Sequence, residues 1–168
     1  CMTTIAGAST ISAGFALNSY TLTVAKIGNS TGTVSSNPPG IDCGVDCTEV
    51  YLATTPVSLT PVAGPNAVFA GWSGGCTGTG ACTVTIGSAA ATVNANFNLV
   101  KHNLTITRTG TGTGTVTSTP AGVSCGTTCT FGFDYGALVT LNASATTSTF
   151  TGWTGGGCSG TGPCTVTM

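Results

Sequence analysis

Residues 22–47 read LTVAKIGNSTGTVSSNPPGIDCGVDC, and residues 104–129 read LTITRTGTGTGTVTSTPAGVSCGTTC. Leu, Gly-Thr-Val, Pro, Gly and both cysteines return at a constant distance of 82 residues, from Leu22 to Leu104 and from Cys47 to Cys129. Self-similarity at a fixed period marks a repeat architecture, in which the folding unit is the repeat and not the whole chain. The match continues downstream, where Val57-Ser58-Leu59 meets Val139-Thr140-Leu141. Phe69-Ala70-Gly71-Trp72 meets Phe150-Thr151-Gly152-Trp153 one residue early. The extra glycine in Gly155-Gly156-Gly157 then restores the distance, so Cys76 and Cys82 meet Cys158 and Cys164.

The register also reaches upstream. Ile11-Ser12-Ala13-Gly14-Phe15 is similar to Val93-Asn94-Ala95-Asn96-Phe97, and Phe15 precedes Leu22 by the same seven residues as Phe97 precedes Leu104. Three segments are therefore expected. Residues 1–17 read as the terminal strand of a preceding or neighbouring module, 18–100 as a first β module, and 101–168 as a second module lacking its last strand. Two explanations fit this phase. The sequence is a window on a longer tandem array, or residues 5–17 of one molecule complete the second module of the next by strand donation. The window is favoured, because CMTTI at 1–5 duplicates CTVTM at 164–168 and both cannot fill one strand position.

Within each module the apolar period is two. Leu22/Val24, Val57/Leu59, Val84/Ile86 and Val93/Ala95/Phe97 alternate with Thr, Ser or Asn, as half-buried strands do. Clusters of Gly, Pro and Asn at 28–32, 37–40, 63–66 and 71–75 punctuate them as turns. No helical stripe is present, and Thr and Val favour strands. The expected fold is all-β: tandem small modules, sandwich-like or β-grasp-like, with about seven short strands each. Modules of this size bury little core, a regime in which disulfides commonly assist.

Each module carries a C-x3-C pair (Cys43/Cys47, Cys125/Cys129) and a C-x5-C pair (Cys76/Cys82, Cys158/Cys164). Four cysteines allow three connectivities; the Gly-rich loops around them favour the local pairs. A four-cysteine zinc site is the rival reading, but its usual spacing is C-x2-C. Cys1, the ninth cysteine, is unpaired in this chain on the expectation that its partner lies upstream; a lipid-modified N-terminal cysteine is the alternative. Nine cysteines point to an oxidising, extracellular or cell-surface setting.

Charge narrows the function classes. Only 4% of the 168 residues are charged and the net charge is −1, against about 25% charged residues in an ordinary domain. Lys26, Lys101 and Arg108 form no basic patch, which argues against nucleic acid and anionic lipid as partners. No apolar run reaches the roughly 18 residues of a membrane-spanning helix.

No catalytic constellation is legible. His102 has no acidic neighbour in sequence, and no Ser or Thr sits in a recognisable nucleophile motif. Asp42, Asp46 and Glu49 cluster around the first C-x3-C loop and suggest calcium, but Ser124, Thr128 and Phe131 replace them in the second module. Neither a metal nor another cofactor is expected. Phe69/Trp72 and Phe150/Trp153 read as core anchors, with sugar stacking as the alternative role. A Lys–Asn isopeptide is disfavoured because Arg108 stands where Lys26 does. Asn29, Asn103 and Asn142 begin N-x-S/T sequons, which arise easily in so Thr-rich a chain.

The ordered series G-x-V, P-x-G, C-x3-C, G-W and C-T-V-T resembles the divergent internalin B-repeat modules of bacterial surface proteins, over nearly the whole chain. The resemblance implies tandem β modules in secreted or cell-wall proteins and brings no catalytic residues with it. The acidic and basic residues usual after C-T-V-T are replaced by residues 87–91 (GSAAA), which leaves a charge-based ligand role in doubt. The sequence is thus expected to be a non-enzymatic extracellular fibre, stalk or adhesin spacer whose partners are further copies of the same module. The alternatives are a glycan- or receptor-binding adhesin module and a non-catalytic repeat appended to a secreted enzyme.

Overall fold

The computed structural model describes residues 7, 8 and 10–168, and among them it is all-β with no helix. The part from 18 to 100 carries Ser19–Ile27 (β1), Gly32–Asn37 (β2), Thr48–Leu52 (β3), Pro56–Ala63 (β4), Ala67–Gly74 (β5), Cys82–Thr85 (β6) and Ala91–Leu99 (β7). The part from 101 onward carries Lys101–Thr105 (β8), Thr115–Thr119 (β9), Ser124–Cys125 (β10), Thr130–Asp134 (β11) and Leu138–Ser144 (β12). Trp153–Gly155 (β13), Cys158–Gly160 (β14) and Cys164–Thr167 (β15) complete it.

The strands form several small sheets. In the first repeat these are β3-β1-β7-β5 and β2-β4-β6. In the second they are β10-β9-β12-β15, the pair β11-β8 and the pair β13-β14. Registers recur at the 82-residue spacing. Val57 faces Val84 and Leu59 faces Cys82 across β4 and β6, as Val139 faces Val166 and Leu141 faces Cys164 across β12 and β15. Thr23 faces Thr48 across β1 and β3, as Thr105 faces Thr130 across β8 and β11.

The period of two explains which side chains go inside, because successive residues of a strand point to opposite faces. Leu22 and Val24, Val57 and Leu59, and Val93, Ala95 and Phe97 are all buried, while the residues between them reach solvent to varying extents. Paired hydroxyls occupy part of the outer faces where other proteins place charges. Ser58 and Thr83 hydrogen-bond across β4 and β6 at 3.2 Å, and Thr140 and Thr165 do so across β12 and β15 at 3.1 Å. Such cross-strand pairs contribute about 0.2–1 kcal/mol each, which offers one local reason why a surface with so few ions is still compatible with ordered sheets.

Contacts divide the chain into two compact units. The first is Cys1–Lys26, Thr33–Val62 and Gly71–Ala95; the second is Ile27–Gly32, Ala63–Ala70 and Asn96–Met168. The division therefore departs from the repeat boundary at 100/101. Inside the second unit the reason is visible as hydrogen bonding. Asn29 Oδ1 accepts from the Leu99 amide at 2.9 Å, and Asn29 Nδ2 donates to Asp134 Oδ2 at 3.0 Å. The Val100 amide donates to the Asn66 carbonyl, and the Tyr135 amide donates to the Val100 carbonyl. The apolar centre of the second unit includes Val116, Val123, Cys125, Phe133, Val139, Leu141 and Cys164.

Four disulfides join Cys43 to Cys47, Cys76 to Cys82, Cys125 to Cys129 and Cys158 to Cys164. Cys43 and Cys125 are fully buried, so the C-x3-C bridge in each repeat also serves as core packing. Closing so short a loop stabilises by about 2 kcal/mol on the chain-entropy model. The double variant Cys76→Ala/Cys82→Ala is therefore expected to lose about that amount. Cys43→Ala/Cys47→Ala should lose a comparable amount, and since Cys43 and Cys82 are both buried, each variant adds the cost of the hole left by a buried sulfur. Denaturant titrations of both under non-reducing conditions measure the two losses.

One glycine reports on the central strand β7. Gly28 has φ +104°, and a Cβ there would collide with the Phe97 carbonyl oxygen. Its counterpart Gly110 has φ +88° with nothing within 4 Å of the same point. An L-residue in such left-handed backbone costs about 1–2 kcal/mol at either position. Gly28→Ala is expected to cost more than Gly110→Ala, since only it also displaces a strand, and urea unfolding of the two variants reads the gap.

Candidate functional site

The two repeats differ most at one strand position. In the first, β7 lies between β1 and β5 and hydrogen-bonds to both. The second repeat has β8 in place of β1 and β13 in place of β5, but no strand of the described residues lies between them. A groove of about 680 Å³ occupies that place, with Leu104, Ile106, Leu141, Phe150, Trp153 and Val166 among its lining residues.

Burial follows this difference. Leu22, Val24, Trp72, Val84 and Ile86 are buried at 0–8% exposure. Their counterparts Leu104, Ile106, Trp153, Val166 and Met168 are all only half-buried. The residue types are nearly the same, so the missing cover accounts for the exposure. Without a strand on its second edge β8 is also short, ending at Thr105, whereas β1 runs to Ile27. Residues 106–114 form a loop, pinned where Arg108 Nη1 donates to the Gly114 carbonyl at 2.8 Å.

The aromatic anchors divide accordingly. Trp72 is 5% exposed and its indole N–H donates to the Gly80 carbonyl at 3.0 Å. Phe69 is half-buried, with its ring 5.5 Å from the fully buried ring of Phe97. Phe150 and Trp153 are half-buried and meet edge to face at 4.9 Å, and the Trp153 N–H donates to the Gly162 carbonyl at 2.7 Å. A sugar has no access to a stacking face on Trp72, because that ring lies in the core.

Of residues 1–17, expected from the sequence to be a terminal strand, 10–17 form no strand here and are exposed throughout. Ile11, Phe15 and Leu17 are 75%, 96% and 59% exposed. Cys1 and residues 2–6 lie outside the described residues.

Two carboxylates are engaged locally. Asp46 Oδ1 accepts from the Thr48 amide at 3.1 Å, and Glu49 Oε1 accepts from the Val50 amide at 2.7 Å. Both bonds are to backbone amides within two residues, and among the described residues no cluster of three or more His, Cys, Asp or Glu is placed to hold a metal ion. Lys101 Nζ pairs with Asp134 Oδ1 at 2.6 Å, a solvent-exposed bridge worth about 0–1 kcal/mol. His102 is exposed, with its ring 6.0 Å from that of Tyr135. The bridging role of Asn29 and Asp134 was not legible in sequence, where Asn29 reads as a sequon and Asp134 as an isolated acid. Nothing in the spacing signals a bond across 105 residues.

No protein-family model, curated protein or solved structure matches this chain. No helix among the described residues is long and apolar enough to cross a membrane. Four disulfides fit an oxidising compartment.

Proposed function

We propose that this chain is a non-catalytic extracellular structural protein whose β modules, two tandem copies of one repeat, stack head to tail into a fibre, stalk or adhesin spacer. The observation that carries the reading is the recurrence of strand register, disulfides and cysteine-loop geometry at the same 82-residue spacing. A repeat that presents the same edges again at each step is suited to setting length, because each unit contacts only its neighbours. The resemblance to internalin B-repeats in G-x-V, P-x-G, C-x3-C, G-W and C-T-V-T supports the same reading. A chain with only 4% charged residues supports it too, since little charge repulsion opposes close approach of copies. The glycan-binding alternative has less support, because the Trp72 ring is buried.

Electron microscopy of native material tests the proposal. Continuous filaments with a module-sized repeat along the axis are the expected result, and separate globular particles at native concentration would overturn it.

A further inference from the structure

We propose that Asn29, Asp134 and Lys101 form a clasp by which the first repeat selects the repeat that follows it, the feature recognised being the acid at the end of β11. The proposal rests on the reading of the chain as stacked modules and names what one module recognises in the next.

The receiving side is a pair of turns from the first repeat, 28–31 and 63–66. The Gly64 amide ties them together by donating to the Thr31 carbonyl at 2.9 Å, and the Ser30 amide ties them to β7 by donating to the Phe97 carbonyl at 3.0 Å. Asn29 stands in the first of these turns with both ends of its side-chain amide engaged. Its Oδ1 accepts from the Leu99 amide at 2.9 Å, so the group is already oriented where its Nδ2 donates to Asp134 Oδ2 at 3.0 Å. On the entering side, Asp134 ends β11 and lies opposite Lys101, the first residue of β8. Lys101 Nζ takes the other carboxylate oxygen at 2.6 Å. Each oxygen of the carboxylate thus has a donor of its own. Hydrogen bonds to an ionised group are about twice as strong as neutral ones, which suits a carboxylate to recognition in a chain with so few ions.

The clasp closes on the linker. The Leu99 amide goes to Asn29, the Val100 amide donates to the Asn66 carbonyl at 2.9 Å, and the Val100 carbonyl accepts from the Tyr135 amide at 2.8 Å. Asn66 itself has φ +55°, a left-handed conformation that Asn tolerates better than most residues. With these groups satisfied, residues 99–101 carry the chain from β7 to β8 as a held segment and not as a hinge.

Residue identity separates the clasp from the repeat. At the 82-residue spacing, Thr111 stands at the position of Asn29, Leu52 at that of Asp134 and Ser19 at that of Lys101. The strand forms with either residue at its end, as β3 with Leu52 and as β11 with Asp134. The clasp residues therefore answer to the join and not to the module. The chain has three Lys or Arg and four Asp or Glu, and one of each meets here.

Hydrogen exchange of the full chain, followed by NMR, tests the clasp. The Val100 amide is the reporter, because its acceptor, the Asn66 carbonyl, is untouched by every substitution used. The Leu141 amide, on an inner strand of its sheet, is the control for global unfolding. Asn29→Thr and Asp134→Leu each install the residue that the other repeat carries at that position, so each suits the module's own fold. Either is expected to speed Val100 exchange about tenfold, as the loss of two hydrogen bonds does, and to leave Leu141 unchanged. Asn29→Asp sets two carboxylates face to face and should do the same. Adding Asp134→Asn to it should restore the wild-type rate, because donor and acceptor exchange places. An unchanged Val100 rate in Asn29→Thr and Asp134→Leu would overturn the proposal, and so would a rise shared equally by Leu141. A paired variant as fast as Asn29→Asp alone would also overturn it, since the join would then not read the complementarity of the two side chains. Native filaments alongside an unchanged Val100 rate would sink the clasp alone, whereas native material without filaments would sink the fibre reading and leave the exchange rates standing.

Discussion

Phe97→Ala is expected to lower stability by about 3–5 kcal/mol, the usual cost of truncating a fully buried aromatic side chain. Phe97 is 0% exposed on the central strand of its sheet, packs its ring 5.5 Å from that of Phe69, and lies directly over Gly32. Removing the ring leaves a cavity between strands, and the surrounding backbone relaxes into it only in part. Phe15→Ala, at the equivalent repeat position, is expected to change stability by no more than about 0.5 kcal/mol in dilute solution, as exposed substitutions do. The two variants carry the same chemical change at the same phase of the repeat, so the difference isolates burial. Denaturant unfolding followed by circular dichroism gives both values. A loss for Phe15→Ala as large as that for Phe97→Ala would mean that the segment 10–18 is packed against its own chain.

Trp72→Ala is the second large effect, also about 3–5 kcal/mol. The indole is 5% exposed, and its N–H is satisfied by the Gly80 carbonyl. The substitution thus removes the largest side chain of the site and its hydrogen bond to the exposed Gly80 in the same step. Trp153→Ala should cost less, because its ring is half-buried and part of its apolar area already faces water. Each variant keeps one tryptophan as its own fluorescent reporter, so thermal unfolding can be followed in both. If Trp153→Ala proved the more costly, the Trp153 ring would have to be covered in solution by something other than the described residues.

Much of the fold was legible from residue order because it depends on local periodicity. Leu22/Val24 and Val57/Leu59 alternate with polar residues, and a strand must turn one of those sets inward. The all-β class and the positions of the turns follow from that pattern and from glycine clusters, with no need of long-range information. The short disulfide loops are similar in kind, since cysteines four or six residues apart can meet without help from the rest of the chain. The strand inventory was less legible. The second repeat is cut into shorter strands, with β13 and β14 standing as a separate pair, because no strand of the described residues lies between β8 and β13. Pattern cannot show this, as Leu104 and Ile106 alternate as well as Leu22 and Val24 do.

The candidate site was legible only as a phase. Repeat counting leads one to expect that the second module lacks a last strand and that residues 1–17 look like one. It does not say that the vacancy is a groove, because exposure is set by neighbours and not by the residue itself. Nor does it reveal Asn29 and Asp134, whose meeting depends on two turns being brought together from 105 residues apart.

By itself, then, the sequence determined the repeat spacing, the strand periodicity and the poverty of charge, and it favoured the local cysteine pairs without choosing among the three connectivities. Only the tertiary structure decided which copies of the repeated segments are covered. Phe97 and Phe15 have the same place in the repeat, yet one is enclosed and the other stands in solvent, because burial is a property of the partners a strand finds and only β7 has found them.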